Sequence, residues 1–174
     1  MALREILTEP NEVLRKKSTD VEKVDEDIKK LMDDMLETMY AAPGIGLAAI
    51  QVGVPKRVIV LDIAPKDSPR NPMYFVNPKI VEKSKSNSTY EEGCLSVPGQ
   101  FAEIDRPDKC HVKYLDYNGT PKEIKAEGML ATCIQHEMDH LEGILFIDYL
   151  SKLKKSVIMK KLSKQKKAIE RIVV

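Results

Sequence analysis

Residues 135–143 read QHEMDHLEG and constrain the fold more than any other stretch of the chain. They contain His136 and His140, two of only three histidines, with Glu137 beside the first. Because an α-helix has about 3.6 residues per turn, positions i and i+4 share one face, so both imidazoles can bind the same metal ion. Glu137 projects about 100° around the helix, where it can reach a metal-bound water without ligating the metal. This pattern is typical of metal-assisted hydrolysis.

A third protein ligand has to come from elsewhere, because a catalytic metal usually takes three and keeps one position for water. Downstream, the candidates are acids without a strong local motif, namely Glu142, Asp148 and Glu170. Upstream, Cys94 lies in EEGCLSVPG (91–99), a segment typical of a turn or a strand end. A lone cysteine is most often a small buried hydrophobe. We favour Cys94 as the ligand because the two histidines otherwise lack a third partner.

The hydrophobic pattern predicts an α+β fold in which strands precede a central helix and a terminal helix. The helix that carries the histidines, from Gly128 to Gly143, is apolar on nearly all faces and so belongs in the centre. A first amphipathic helix is predicted over 25–40. Strands are predicted at 57–63, 74–82, 109–116 and 122–127, the last two joined by a turn at 118–119, with loops at 64–72 and 84–89.

Residues 44–51 read GIGLAAIQ, a glycine pattern that is weak evidence on its own. Taken with EGCLS (92–96) and QHEMDH (135–140), in this order and spacing, it resembles the three signature motifs of bacterial peptide deformylases. The resemblance covers nearly the whole chain. It implies antiparallel sheets wrapped around a central metal-binding HExxH helix, with a C-terminal helix. It also implies hydrolysis of the formyl group of N-formylmethionine on nascent peptides, which releases formate.

The resemblance implies a role for each motif residue. Glu137 would take a proton from the attacking water and return it to the leaving amine. The side-chain amide of Gln51 and the backbone N–H of Leu95 would donate to the developing oxyanion. Fe(II) is the implied natural metal, with Zn, Ni or Co able to occupy the site, and the sequence does not choose among them. The implied metal ligands are Cys94, His136 and His140.

The substrate contacts implied by the resemblance are of two kinds. Backbone pairing with an added peptide strand involves Ile45, Gly46 and Gly93. The pocket for the methionine side chain is formed by Tyr90, Leu95, Met129 and Cys133. Gly44 and Glu92 complete the substrate-binding set. Glu92 either pairs with Arg106 near the metal or is, like Arg106, a solvated charge.

Charge divides the chain unevenly. The chain has 28 basic and 27 acidic residues, of which the segment 151–174 holds nine basic residues and one acidic residue. The net charge is therefore near +8 for this segment and near −7 for residues 1–150. We interpret 1–150 as a catalytic region and 151–174 as a basic C-terminal helix of the same domain. The pattern predicts a loose apolar stripe along this helix, formed by Leu153, Val157, Ile158, Leu162, Ala168, Ile169 and Ile172. The resemblance implies that this helix contacts the ribosome near the exit of nascent chains. A solvated helix face packed on the body is an equally weighted reading.

Composition and hydropathy indicate the cellular compartment and the kinds of partner. No apolar run approaches the roughly 18 residues that span a bilayer, and the opening MALREILTEP has no signal-like stretch. Three cysteines without a CxxC pair argue against a disulfide framework. We therefore expect a cytoplasmic protein with no membrane or DNA partner.

Two other classes of protein fit the HExxH helix. A zinc endopeptidase would use a downstream acid as third ligand instead of Cys94. A noncatalytic zinc-stabilised module would need a fourth protein ligand, for which Cys110, Cys133 and His111 are the soft candidates. Strand alternation over 109–116 points His111 towards solvent, which predicts that it is structural or inert.

Overall fold

The computed structural model describes the backbone of residues 2–173 and the side chains of residues 2–168. The helices of this part are α1 (Glu26–Ala41), α2 (Gly128–Leu141) and α3 (Lys152–Val173). The strands are β1 (Gly46–Ala48), β2 (Val58–Leu61), β3 (Met73–Lys83), β4 (Asn87–Cys94), β5 (Val97–Pro107), β6 (Lys109–Leu115) and β7 (Pro121–Glu127). They form an antiparallel five-stranded sheet in the order β1-β2-β3-β6-β7 and a separate β4-β5 hairpin. The predicted α+β class is confirmed.

Helix α1 covers one face of the large sheet. The Asp25 side chain caps it by accepting a hydrogen bond from the backbone N–H of Ile28. Its buried stripe follows the predicted helical spacing and packs against Val58 and Val60 of β2. The fully buried members of this stripe are Met32, Met35 and Met39. The predicted helix at 25–40 is confirmed to within one residue at each end.

Helix α2 lies between the other face of the large sheet and the β4-β5 hairpin, touching β1, β2 and β7 as well as β4 and β5. Most of its residues are buried, as the sequence predicted. The helix ends at Leu141, two residues before the expected cap at Gly143. Gly143 has a φ of 75°, and an added Cβ would lie 2.4 Å from the Arg15 carbonyl oxygen. Only glycine fits there, so the residue still terminates the helix.

The hairpin is the main departure from the predicted strands. Residues 87–89, predicted as part of a loop, begin β4, and β5 was not predicted at all. The inward positions of β4 are Ser88, Tyr90 and Glu92, so the strand lacks the alternation of apolar and polar residues. Pro98 and Gly99 are uncommon inside strands, so the start of β5 also lacks a recognisable strand pattern. By contrast, the predicted pairing of 109–116 with 122–127 is confirmed as the β6-β7 hairpin.

Helix α3 packs on the body through one narrow side. Ile158 and Leu162 are buried in a cluster with Leu14, Val97 and Phe146. The structure buries only part of the apolar stripe predicted along this helix, because α3 contacts the body along this one side. Its exposed members are Leu153, Val157 and Ala168, while the side chains of Ile169 and Ile172 lie outside the described residues. None of the helices described here combines the length and the apolar character needed to cross a membrane.

Candidate active site

The three predicted metal ligands meet beneath the hairpin. Cys94 ends β4, and His136 and His140 lie one turn apart on α2. Their donor atoms all lie within 4.8 Å of one another, with the Cys94 Sγ 3.4 Å from the His140 Nε2. Metal–ligand bonds are about 2.0–2.3 Å long, so one ion can contact all three donors. A thiolate with two imidazoles suits Zn²⁺ or Fe²⁺ better than a hard cation.

The other ligand candidates are engaged elsewhere. Glu142 accepts a hydrogen bond from Arg57 at 2.9 Å. Asp148 is bound by Arg15 and Lys155, and the Glu170 side chain lies outside the described residues. Among the described residues, the three-donor group includes no further cysteine or histidine. The partly exposed His111 instead lies 3.3 Å from Glu123 on the neighbouring strand. Three protein donors are the usual complement of a catalytic metal site.

Glu92 orients His136. The Glu92 Oε1 lies 2.8 Å from the His136 Nδ1, and Arg106 donates two hydrogen bonds of 2.7 and 3.0 Å to the same carboxylate. Burial raises the pKa of Glu92, but the hydrogen bonds from His136 and Arg106 outweigh burial and hold the pKa below its ordinary value. The predicted pairing of Glu92 with Arg106 is confirmed, and the pair is buried rather than solvated. A carboxylate behind a metal-binding histidine fixes the ring orientation.

The support of His136 extends further than the sequence indicated. Arg106 also donates to Asp139 at 2.8 Å, and the Tyr149 hydroxyl donates to the same carboxylate at 2.7 Å. The guanidinium lies 5.1 Å from the centre of the Tyr149 ring. The only sequence signal for Asp139 was its position three residues after His136, on a neighbouring part of the same helix face.

Glu137 is a buried carboxylate at the metal site. Its Oε1 lies 3.8 Å from the His136 Nε2, and its buried Oε2 has no hydrogen-bond partner among the described residues. Burial disfavours the charged form and raises the pKa of Glu137 to about 7. Gly46 gives it room, because an added Cβ there would lie 2.9 Å from the Glu137 Oε1. An unpartnered carboxylate oxygen beside three metal donors is placed to bind a water or a substrate proton.

Gln51 is held with its amide N–H group towards the site. Its Oε1 accepts a hydrogen bond of 3.0 Å from the backbone N–H of Ala48. Its Nε2 donates to the Ser96 hydroxyl at 2.9 Å and lies 3.5 Å from the Cys94 Sγ. Ser96, which the sequence did not suggest, is fully buried and fixes this orientation. Leu95 lies between Cys94 and Ser96 in the chain. Its side chain packs against Gly44, where an added Cβ would lie 2.7 Å from the Leu95 Cδ1.

A cleft of about 570 Å³ opens over these residues. It is lined by the residues predicted from the sequence as metal-binding, catalytic or substrate-binding, except His140, which lies beneath it. Burial raises the pKa of the Cys133 thiol to about 12, so this side chain is a neutral, apolar part of the wall. Lining residues that the sequence did not suggest include Val97, Gln100 and Thr132.

A Cys-His-His donor set beside a buried glutamate, at the floor of an open cleft, defines the class of metal-dependent hydrolases. The sequence matches the model of the polypeptide deformylase family over residues 3–156. The chain belongs to this family.

Relatives are similar along their whole length. The peptide deformylase of Pelagibacter ubique is 67% identical over 166 residues, which are 95% of this chain and 96% of the relative. The peptide deformylase of Maricaulis maris is 60% identical over 98% of each chain. Among solved structures, a peptide deformylase from Legionella pneumophila has a TM-score of 0.91 at 46% identity, covering 98% of this chain and 99% of its own. The peptide deformylase from Ehrlichia chaffeensis in complex with actinonin has a TM-score of 0.91 at 48% identity, covering 95% and 98%.

Proposed function

We infer that this chain is a metal-dependent hydrolase that removes the N-formyl group from the N-terminal formylmethionine of nascent polypeptides. The products are formate and a free amino terminus. One observation carries the inference, namely the meeting of Cys94, His136 and His140 beside Glu137 in a chain of the polypeptide deformylase family. A substrate that emerges from the ribosome places this activity in the cytoplasm.

Cys94, His136 and His140 would hold the metal. When bound, a divalent metal polarises the formyl carbonyl and lowers the pKa of a coordinated water. We propose Fe(II) as the metal in the cell, with Zn, Ni or Co able to replace it, because a thiolate favours softer divalent ions. Protein purified without oxygen should contain roughly one iron per chain and lose activity in air as the iron and Cys94 oxidise. An air-stable zinc protein with full activity would contradict the choice of iron.

Glu137 carries the protons in this mechanism. It accepts one from the attacking water while the new C–O bond forms at the formyl carbon. It then gives that proton to the amine nitrogen as the C–N bond breaks. Its burial and its unpartnered Oε2 support both transfers, because no side chain in the described part of the chain forms a hydrogen bond with that oxygen.

Gln51 and Leu95 supply the donors for the oxyanion. The hydrogen bond from the Ala48 N–H fixes the Gln51 carbonyl away from the site, so the NH₂ group lies near the Cys94 sulfur. The backbone N–H of Leu95, next to the Cys94 ligand, is the second donor. Donors fixed before the reaction stabilise developing charge at little reorganisation cost.

The peptide binds as an added strand between the two sheets. Strand β1 pairs only with β2, and β4 pairs only with β5, which leaves one edge of each unpaired among the described strands. Gly44, Ile45 and Gly46 border the cleft on one side and Gly93 on the other. An extended peptide between these edges can form main-chain hydrogen bonds with both. The two glycines beside Ile45 permit this approach, because an added Cβ would strike Leu95 or Glu137.

The methionine side chain enters the inner part of the cleft. Its walls are the side chains of Tyr90, Leu95, Met129 and Cys133, which line the cleft without a full charge. Flexible apolar walls suit an unbranched thioether. Glu92 lies at the base of this pocket, with its charge matched by Arg106.

Formate release from formyl-Met-Ala-Ser tests the proposed function. The metal-loaded chain should release formate from this peptide and should leave the unformylated Met-Ala-Ser intact. Cleavage of internal peptide bonds without formate release would instead indicate an endopeptidase. Absence of both reactions would leave a structural metal site as the alternative.

We propose in addition that α3 contacts the ribosome. The lysines Lys160, Lys161, Lys164, Lys166 and Lys167 are all exposed on this helix. A basic helix next to a body of opposite net charge suits an RNA phosphate backbone. Truncation would be a poor test, because Ile158 and Leu162 of α3 belong to the core.

Charge removal is the better test of ribosome contact. Replacing Lys164, Lys166 and Lys167 with glutamine should weaken co-sedimentation with ribosomes. It should also reduce the salt dependence of binding, because fewer phosphate contacts release fewer counterions. The matched control replaces Lys85, Lys122 and Lys125, which are exposed on the body. Equal loss of binding in both variants, or no loss in either, would assign α3 to packing alone.

A further inference from the structure

The segment 2–9 forms neither helix nor strand, yet it is fastened along its length. Four of its main-chain N–H groups, those of residues 2, 4, 7 and 9, donate hydrogen bonds to parts of the fold that are distant in the chain. Peripheral segments of a domain are usually poorly ordered unless they are tied down. The places to which this segment is tied therefore indicate what it does, and the mechanism above gives it no role.

One end of the segment is tied to the two turns that form the oxyanion site. The N–H of Leu7 donates to the main-chain carbonyl of Gln51 at 2.7 Å, and the N–H of Glu9 donates to that of Ser96 at 2.9 Å. Gln51 and Ser96 are the partners of the side-chain hydrogen bond that orients the Gln51 amide. Leu95, whose N–H is the second proposed donor, directly precedes Ser96. Segment 2–9 therefore holds the backbone of both turns.

The two turns belong to different parts of the fold. Gln51 lies in the short 3-10 helix Ala49–Val52, which follows β1 of the large sheet, whereas Ser96 lies between the strands of the hairpin. Among the described strands, none pairs the large sheet with the hairpin. Strand pairing therefore does not set the distance between the turns, and the hydrogen bonds of segment 2–9 bridge them directly. A catalytic group misplaced by about 1 Å can cost about 10²-fold in rate.

An ion pair with α1 anchors the other end of the segment. Two nitrogens of the Arg4 guanidinium lie 3.1 and 3.0 Å from the Asp34 Oδ2, and the N–H of Ala2 donates to the Oδ1 at 2.8 Å. The N–H of Arg4 also donates to the Thr38 hydroxyl oxygen at 2.9 Å. The Asp34 side chain is only 3% exposed, so its charge depends on these partners for compensation. Neither Arg4 nor Asp34 lines the cleft, so a change at this pair reaches the site only through the segment or through α1.

We propose that segment 2–9 is a positioning element of the oxyanion site, in which Leu7 and Glu9 hold the two donor-bearing turns at a fixed spacing and Arg4 holds the segment in place. The N–H groups of Leu7 and Glu9 are bonded to carbonyls, so they act through the donors and not on the substrate. The proposal rests on the proposed function, because only a reaction that develops charge on the formyl oxygen uses these donors. A misplaced donor weakens binding of the transition state more than binding of the substrate, so kcat should change and KM should not.

Arg4→Met tests the anchor without altering the lining of the cleft. With formyl-Met-Ala-Ser, kcat should fall by roughly tenfold, while KM and metal content stay within about twofold of wild type. Arg4→Lys keeps the charge and should recover part of the loss. Lys29→Met is the matched control, since Lys29 forms a surface ion pair with Glu26 on α1, and it should keep the wild-type kcat. A kcat for Arg4→Met equal to that of Lys29→Met would overturn the role of the anchor.

A second background distinguishes positioning from general stability. Gln51→Ala removes the side-chain donor and should by itself lower kcat by about 10²–10³-fold. In that background Arg4→Met should lower kcat by less than about threefold more, because a donor that the segment positions is already gone. The same factor in both backgrounds would assign the segment to fold stability and overturn the proposal.

Leu7→Pro tests the contact itself, because proline has no N–H to donate to the Gln51 carbonyl. It should lower kcat at unchanged KM, as Arg4→Met does. Leu7→Ala is the matched control, since it loses the side chain and keeps the N–H, and its kcat should stay near that of wild type. Each variant is assayed below its measured Tm, so that unfolding does not contribute to the loss. Equal losses in Leu7→Pro and Leu7→Ala would contradict a role for the N–H.

The outcomes separate this proposal from the proposed function. No formate release by the wild-type chain would defeat the proposed function, and this proposal with it. Formate release by wild type, with wild-type kcat in both Arg4→Met and Leu7→Pro, would overturn the positioning role alone.

Discussion

Arg106 compensates two carboxylates behind the metal site, the buried Glu92 and the partly buried Asp139. It is 5% exposed and makes three hydrogen bonds, two to Glu92 and one to Asp139. Arg106→Met removes the charge but keeps much of the apolar volume. Removing one partner of a buried ion pair typically costs about 3–5 kcal/mol, because the remaining charge stays buried without compensation. That loss is a large fraction of the roughly 5–15 kcal/mol that stabilises a domain.

Urea denaturation followed by circular dichroism measures this loss, with an unchanged m-value as the sign that the comparison is valid. Arg57→Met is the matched control, since Arg57 is more exposed and pairs with Glu142, whose side chain is 46% exposed. It should lose only about 1 kcal/mol or less. The double variant Glu92→Gln/Arg106→Met should be less destabilised than the sum of the single changes, with a coupling of about 1–3 kcal/mol. A loss for Arg106→Met no larger than that for Arg57→Met would show that Arg106 does not stabilise the fold by compensating Glu92 and Asp139.

Three further changes test the site. Cys94→Ala should lose most of its bound metal in metal analysis, because water cannot replace an anionic thiolate ligand at equal affinity. Full metal content with full activity would remove Cys94 from the ligand set. Gly46→Ala should lower kcat by roughly tenfold or more while the protein stays folded, because the new Cβ would lie 2.9 Å from the Glu137 carboxylate and displace it. A kcat equal to that of wild type would show that the carboxylate tolerates the shift. Formyl-norleucine peptides should react nearly as well as formyl-Met peptides, since the binding free energies of similar apolar side chains differ by only about 1–3 kcal/mol. Formyl-Asp peptides should react far more slowly, because their charge must be desolvated on binding. Equal kcat/KM for formyl-Met and formyl-Asp peptides would contradict an apolar first-residue pocket.

The metal helix and its ligands could be predicted because their chemistry is local. Two histidines at i and i+4 on an apolar helix leave little freedom, and β6 and β7 alternate in sequence on either side of the short loop 116–120. Cys94 was favoured as their partner because the two histidines otherwise lack a third ligand, and the order and spacing of the three motifs supported that choice.

The hairpin and its contacts could not be predicted because functional demands replace the usual strand pattern there. The inward positions of β4 hold polar groups, such as Glu92, that serve His136 instead of a core. Without β5, the contact of Arg106 with Asp139 could not be foreseen. The exposure of Leu153 on α3 was missed for a different reason, since helical periodicity gives a stripe but not the width of the surface that covers it.

Metal content and turnover of Glu137→Gln, measured on the same sample, separate proton transfer by Glu137 from metal binding. The change keeps the shape of the side chain and removes its ability to accept and return a proton. We expect about one metal per chain, as in wild type, together with a kcat for formate release from formyl-Met-Ala-Ser that is lower by roughly 10²–10⁴-fold. A metal-loaded variant with kcat within about threefold of wild type would show that general acid–base catalysis by Glu137 is not essential.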